Sequence, residues 1–146
     1  MKKLTVLLLT IALFVTLLPM TALADQYVSV SGSWESVTIE WDDNVSDLRA
    51  FVLDTPLADC SQMTVNMSVS MNGGVKCRFW RVLGRVDGSY EEIGKISLSS
   101  GNGSTVRTLY FQTPVTLDAI VIRPTLSGSY TWTSEFTLTD VMCAES

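Results

Sequence analysis

The sequence predicts an all-β domain, an antiparallel β-sandwich of about eight to nine short strands. Apolar and polar residues alternate with period two over residues 62–71 (QMTVNMSVSM), which is typical of a strand with one face on a core and one in water. Stretches rich in Gly, Asn, Asp and Ser recur between such segments and mark turns. No segment after residue 25 shows a helical period, so the core must be built from strands.

Strand patterns follow one another along the chain. They cover residues 26–31, 34–41, 48–54, 62–71, 76–83, 90–98, 105–111, 117–123 and 134–143. Thr55-Pro56 and Thr113-Pro114 are expected to end strands, because proline cannot donate a hydrogen bond to a ladder. The two Thr-Pro dipeptides mark similar strand–turn–strand corners, which favours a jelly roll made of two Greek keys.

Residues 1–24 are predicted to be a secretory signal peptide. Lys2 and Lys3 precede an uncharged apolar run at residues 4–18, and Ala22-Leu23-Ala24 forms a small-x-small cleavage site. The run has 15 residues, short of the roughly 20 that a membrane span needs. We therefore expect an exported protein that is not embedded in the membrane after cleavage, with residues 25–146 as its single domain.

Composition excludes several classes of function. The chain has no histidine, which excludes the usual Ser-His-Asp and Cys-His catalysis and imidazole-based zinc sites. Its formal charge of −5 becomes −7 when Lys2 and Lys3 leave with the signal peptide, which argues against nucleic acid as a partner. Glu91 and Glu92 are neighbours on a predicted strand and point to opposite faces, so they cannot form a glycosidase pair. We expect no enzymatic activity.

Residues 79–90 (FWRVLGRVDGSY) join an aromatic-x-x-Val-x-Gly strand to an Asp-Gly turn, a strong hairpin signal. This hairpin, with the order of elements from Arg49 to Cys143, resembles the galactose-binding-like jelly rolls, which include discoidin-type domains and many carbohydrate-binding modules. The resemblance implies that the last strand lies antiparallel beside residues 62–71. It further implies that turn 72–74 and loops 42–47, 99–104 and 124–133 meet at one end.

The implied strand order pairs Cys60 with Cys143 in a disulfide and leaves Cys77 as a free, inward-facing thiol. Residue 143 ends the last strand where the strand of residues 62–71 begins. Cys60 is in step with Gln62, and Cys143 with Thr137, so both cysteines are expected to point away from the core.

The same end of the domain carries the candidate ligand site. Aromatic rings stack on the C–H faces of sugars, while amides, carboxylates and Arg bind sugar hydroxyls. Two alternatives remain for the Trp132 ring, which either stacks on a sugar or plugs the core beneath its loop. Trp34 falls on the outward face of its strand and is expected to be an exposed ring near the other end. The candidate ligand-binding residues are Tyr130, Trp132, Arg123, Asn102 and Asn72.

Asp42, Asp43 and Asp47 form an oxygen-rich loop that could supply ligands to a structural calcium ion, the single cofactor considered. A solvated turn is the alternative for this loop. The preferred function is binding of carbohydrate or a cell-surface glycan. The second hypothesis is a structural or adhesive protein of a surface or extracellular assembly, without a small ligand. A carboxylate-dependent glycoside hydrolase is the third.

Overall fold

The structure, a computed structural model, describes residues 24–41, 44–126 and 130–145, with the backbone alone at residues 41 and 44–47. The described residues contain no α-helix, and every ladder between strands is antiparallel, which confirms the all-β class. No helix within these ranges is long and apolar enough to cross a membrane. The seven strands are β1 (Asp25–Val28), β2 (Gly32–Trp41), β3 (Asn44–Met71), β4 (Phe79–Val86), β5 (Ser89–Ser97), β6 (Gly103–Pro124) and β7 (Trp132–Ala144).

Two of these strands are unusually long. β3 has 28 residues and β6 has 22, so each joins two segments that the sequence predicts as separate strands. The prediction that Pro56 and Pro114 end strands is therefore wrong. Both prolines lie where the β3–β6 ladder shifts register, between Val52 and Gln62 of β3 and the facing part of β6. Proline is tolerated at such irregular positions because no regular ladder bond is lost there.

The strand order is β1-β7-β3-β6-β4-β5, with β2 paired to β3. The long strands divide this sheet into two halves. The four-strand half contains β1, β7, the second half of β3 and the first half of β6. The five-strand half contains β2, the first half of β3, the second half of β6, β4 and β5. The sandwich and its jelly-roll order remain predictions.

One hydrophobic core joins the two halves. Met63, Val65 and Met67 of the four-strand half belong to the same buried cluster as Trp80 and Ile122 of the five-strand half. The alternation over residues 62–71 correctly predicts this face, since all its odd-numbered residues are buried. Each such side chain stabilises the fold by roughly 1.5–3 kcal/mol relative to an exposed one.

A second cluster lies on the opposite face of the five-strand half. It consists of Ile39, Leu48, Ala50, Leu83 and Val121.

The predicted Cys60–Cys143 disulfide is present, and Cys77 is a free, buried thiol. The prediction that the bridge points away from the core is wrong, because both of its cysteines are buried in the main cluster. The ladders explain the difference. The pairing of β3 with β7 shifts register on both sides of Gln62, and Asp140 adopts a left-handed conformation with φ of 48°. One extra residue in a strand turns the residues beyond it to the other face.

Candidate functional site

The turn after β3 holds the chain that enters β7. Gly73 and Gly74 have φ of 77° and 73°, a conformation that glycine adopts without steric cost, and they allow the tight reversal after Met71. The backbone N–H of Asn72 donates to the carbonyl of Thr131 over 3.0 Å, and its side-chain amide donates to the Thr131 hydroxyl over 2.8 Å. These bonds place the segment of Tyr130 to Trp132 beside the end of β3.

A second asparagine, Asn102, also stabilises the turn after β3. The Oδ1 atom of Asn102 accepts a hydrogen bond from the backbone N–H of Met71 over 2.9 Å. Met71 is also paired with Trp132 across the β3–β7 ladder. The structure therefore brings Asn72, Asn102 and Trp132 together, as predicted. The contacts of the two asparagines hold loops in place, and a role for them in ligand binding remains a prediction.

A concave site opens at the start of β7. Its cavity measures about 270 Å³ and is bounded by the rings of Tyr130 and Trp132 and by the charged side chains of Arg49 and Glu135. A shallower depression of about 550 Å³ shares Arg49 and Glu135 with the cavity, and the two together are called the groove. The remaining lining residues are Leu48, Ile122, Thr131, Thr133 and Ser134 in the cavity, and Trp34, Asn66, Ser68, Phe136 and Thr137 in the depression.

The ring of Trp132 is half-buried. It packs against both hydrophobic clusters and also lines the cavity, so it combines features of the two sequence-based alternatives. Tyr130 is more accessible, with 38% of its surface exposed. The groove thus has one aromatic wall fixed by the core and one at the solvent boundary.

Trp34 is not the freely exposed ring that the sequence predicts. It lies edge-on to Phe51 and Phe136, with ring centroids 5.4 and 4.9 Å away, and is half-buried against the main core. The reason is its register, because Trp34 pairs with Phe51 in the β2–β3 ladder and shares its face. The guanidinium of Arg49 lies 4.9 Å from the Trp34 ring centroid, a cation–π contact that helps to position this arginine in the groove.

Arg123 does not line the groove. Its neighbour Ile122 does, and successive residues of a strand point to opposite faces. Arg123 is buried on the other face of the five-strand half, where it is paired with Arg81 of β4. The alternation of β6 thus separates Arg123 from the other candidate ligand residues.

The candidate calcium site falls outside what the structure describes, since Asp42 and Asp43 are not included and Asp47 has its backbone alone. Among the side chains that are described, no group of three or more carboxylates and cysteines converges as metal ligands would. Structural calcium therefore stays a prediction.

A charged cluster lies at the far end of β4. The Nε atom of Arg85 donates to Oδ1 of Asp118 over 2.6 Å, and this carboxylate raises the pKa of Arg85. Burial raises the pKa of the nearby Tyr90 hydroxyl, an effect that the charge of Arg85 partly offsets. The Tyr90 hydroxyl is buried beside the charged side chain of Arg85. None of these residues lines the groove.

Sequence reasoning missed Arg49 and Glu135. Each is an exposed residue within a strand, next to a buried neighbour, and single residues of this kind carry no sequence signal of function. Both line the cavity and the depression, which depends on how the first half of β3 lies relative to β7.

The chain matches no protein-family model, and no curated protein is found to be similar to it. The relationship to galactose-binding-like jelly rolls accordingly remains a prediction based on residues 79–90 and the order of strands.

Proposed function

We propose that this protein is an exported, non-catalytic module that binds neutral carbohydrate in the groove at the start of β7. The observation that carries the proposal is the composition of the cavity, in which Tyr130 and Trp132 stand beside Arg49 and Glu135. Binding sites for small molecules combine apolar and aromatic walls with a few placed polar groups. Aromatic walls suit the C–H faces of sugar rings.

The polar groups fit hydroxyl ligands. The guanidinium of Arg49 can only donate hydrogen bonds, whereas the ionised carboxylate of Glu135 can only accept them. A sugar hydroxyl both donates and accepts, so it can bridge the two. Their opposite charges balance, which favours a neutral ligand over an ionic one. A cavity of about 270 Å³ lies near the lower end of the usual range for ligand sites and fits a short saccharide.

Two further observations support a binding role without catalysis. Among the described residues that line the cavity and the depression, Glu135 is the single carboxylate, whereas glycoside hydrolysis uses a pair. The chain also lacks the histidine that other hydrolytic mechanisms use.

Two observations support export. β1 begins at Asp25, directly after the predicted cleavage site. The Cys60–Cys143 disulfide suits an oxidising compartment outside the cytosol.

The test is binding of the secreted protein to an array of neutral glycans, followed by calorimetry on the ligands found, with calcium and with a chelator. Tyr130→Ala and the near-isosteric Glu135→Gln are each expected to weaken binding about ten-fold, a typical loss for a central contact. Phe79→Ala is the matched control, since Phe79 is an exposed ring outside the groove. Absence of glycan binding, or full affinity in both groove variants, contradicts the proposal. The first of these results favours the structural or adhesive alternative.

A further inference from the structure

The outward face of the four-strand half carries a row of four residues, one from each strand. Gln62 of β3 lies opposite Tyr110 of β6 on one side and opposite Met142 of β7 on the other. Met142 in turn lies opposite Tyr27 of β1. Residues directly opposite each other in antiparallel strands project from the same face. Tyr110, Gln62, Met142 and Tyr27 therefore form a line across the strands, with a tyrosine at each end.

These two tyrosines are the most exposed large hydrophobic residues that the structure describes, at 74% for Tyr110 and 68% for Tyr27. They are three strand spacings apart, or about 14 Å at roughly 4.8 Å per step. Single exposed tyrosines are ordinary. Two of them at the ends of one cross-strand row, on a flat face, are not explained by the core beneath them.

Two links join β3 and β7 beneath the row. The Cys60–Cys143 disulfide lies at the ladder pair next to that of Gln62 and Met142, on the buried side of the sheet. The side-chain amide of Gln62 also donates to the carbonyl of Asp140 over 3.3 Å.

The three rows that follow are mostly polar and carry little charge, although Val106 is apolar and 54% exposed and Thr64 is buried. Within the three following rows Glu135 is the single charged residue, although the chain has 25 charged residues in all. Asp25 lies at the margin beyond Tyr27, and its carboxylate accepts a hydrogen bond from Ser61 over 2.6 Å. A surface of this composition gives no charge complementarity to an ionic partner and suits a neutral polyol. The three rows are Thr108–Thr64–Thr139, Val106–Asn66–Thr137 and Ser104–Ser68–Glu135.

We infer that the tyrosine platform (Tyr27, Met142, Gln62 and Tyr110 with the adjacent row Thr108–Thr64–Thr139) binds an extended neutral polysaccharide. The two farther rows belong to the border with the groove, because Asn66, Ser68, Thr137 and Glu135 line its depression. The inference rests on the proposed carbohydrate-binding function and adds a ligand class to it. Tyr27 and Tyr110 stack on sugar rings some distance apart along one chain, and the Gln62 amide between them binds hydroxyls. The groove takes a short saccharide, whereas the platform takes a chain lying across the strands.

The test is co-sedimentation of the protein with microcrystalline cellulose and with chitin, two insoluble neutral polysaccharides. The wild-type protein is expected to pellet with at least one of them. The double variant Tyr27→Ala/Tyr110→Ala is expected to lose about ten-fold or more in apparent affinity, since two stacking contacts are removed. The double variant Tyr27→Phe/Tyr110→Phe keeps both rings and is expected to pellet like the wild type. Because both side chains are exposed, an unchanged melting temperature should show that the fold is intact.

Phe79→Ala serves as a control for general apolar adsorption and is expected to pellet normally. Tyr130→Ala is measured beside it, and a loss of pelleting as large as that of the double alanine variant would assign the binding to the groove and overturn the inference. The inference is overturned if the wild type pellets with neither polysaccharide, if the double alanine variant pellets fully, or if Phe79→Ala loses as much as that variant. Failure of the groove proposal gives a different result. The protein then binds no soluble saccharide, but its co-sedimentation still falls when Tyr27 and Tyr110 are replaced by alanine.

Discussion

Removal of the Cys60–Cys143 disulfide is expected to destabilise the domain strongly. The bridge joins residues 83 positions apart. On the chain-entropy model, closing a loop of that length stabilises the fold by about 4.5 kcal/mol at 25 °C. For the predicted mature chain of 122 residues (25–146), unfolding has an entropy of roughly 0.26 kcal/mol/K, so the melting temperature should fall by about 18 °C. The double variant Cys60→Ala/Cys143→Ala also loses buried sulfur atoms, and this loss of packing lowers the free energy of unfolding further.

The measurement is thermal and urea unfolding of the double variant, of the wild type, and of Cys77→Ala as the matched control. Cys77 is equally buried, and its thiol donates to the carbonyl of Phe79 over 2.9 Å, but it closes no loop. The double variant should therefore show a steeper dependence on urea, because its unfolded chain is free to expand, whereas Cys77→Ala should not. The reasoning is refuted if the double variant melts no lower than Cys77→Ala and its urea dependence matches that of the wild type.

Two further substitutions test single contacts. Tyr90→Phe removes a buried hydroxyl that titrates at alkaline pH. Burial raises the pKa of Tyr90 above its usual value near 10, so the free energy of unfolding should fall as the pH rises above about 10. Tyr90→Phe should weaken that fall. An identical alkaline decline in both proteins contradicts this prediction. Asn102→Ala is expected to cost about 1 kcal/mol, because the backbone N–H of Met71 loses its acceptor. Unchanged stability with weaker glycan binding would instead make Asn102 a ligand contact.

Local patterns in the sequence predict the strands and the core well. The alternation over residues 62–71 identifies the buried face of β3, because side-chain direction along a regular strand depends on local periodicity alone. The two Thr-Pro dipeptides coincide with register shifts rather than with the predicted strand ends, and the sequence does not show that hydrogen bonding resumes beyond them within β3 and β6. Whether a ladder continues past a bend depends on the partner strand, which local patterns do not contain.

The sites depend on register, which the sequence does not reveal. Arg49 and Glu135 are distant in sequence, and both line the groove only because of the arrangement of β3 and β7. Tyr27 and Tyr110 become ends of one row through three successive ladders. In each ladder a slip of one residue would turn a side chain to the other face. The groove could be predicted in part, through Tyr130 and Trp132, while the tyrosine platform could not.

The irregular pairing on either side of Gln62 accounts for two observations. It explains why the disulfide is buried rather than outward-facing as predicted, and it sets which residues form the tyrosine row. Continuing the alternation of β7 through Asp140 puts Cys143 on the outward face and Met142 on the inward one. The register shifts reverse this, so that Cys60 and Cys143 are buried while Gln62 and Met142 lie on the outward face between the tyrosines. The same irregularity therefore shields the disulfide from solvent and completes the tyrosine row. Bulges commonly redirect side chains in this way near functional surfaces, and here the redirected residues are those that join Tyr27 to Tyr110.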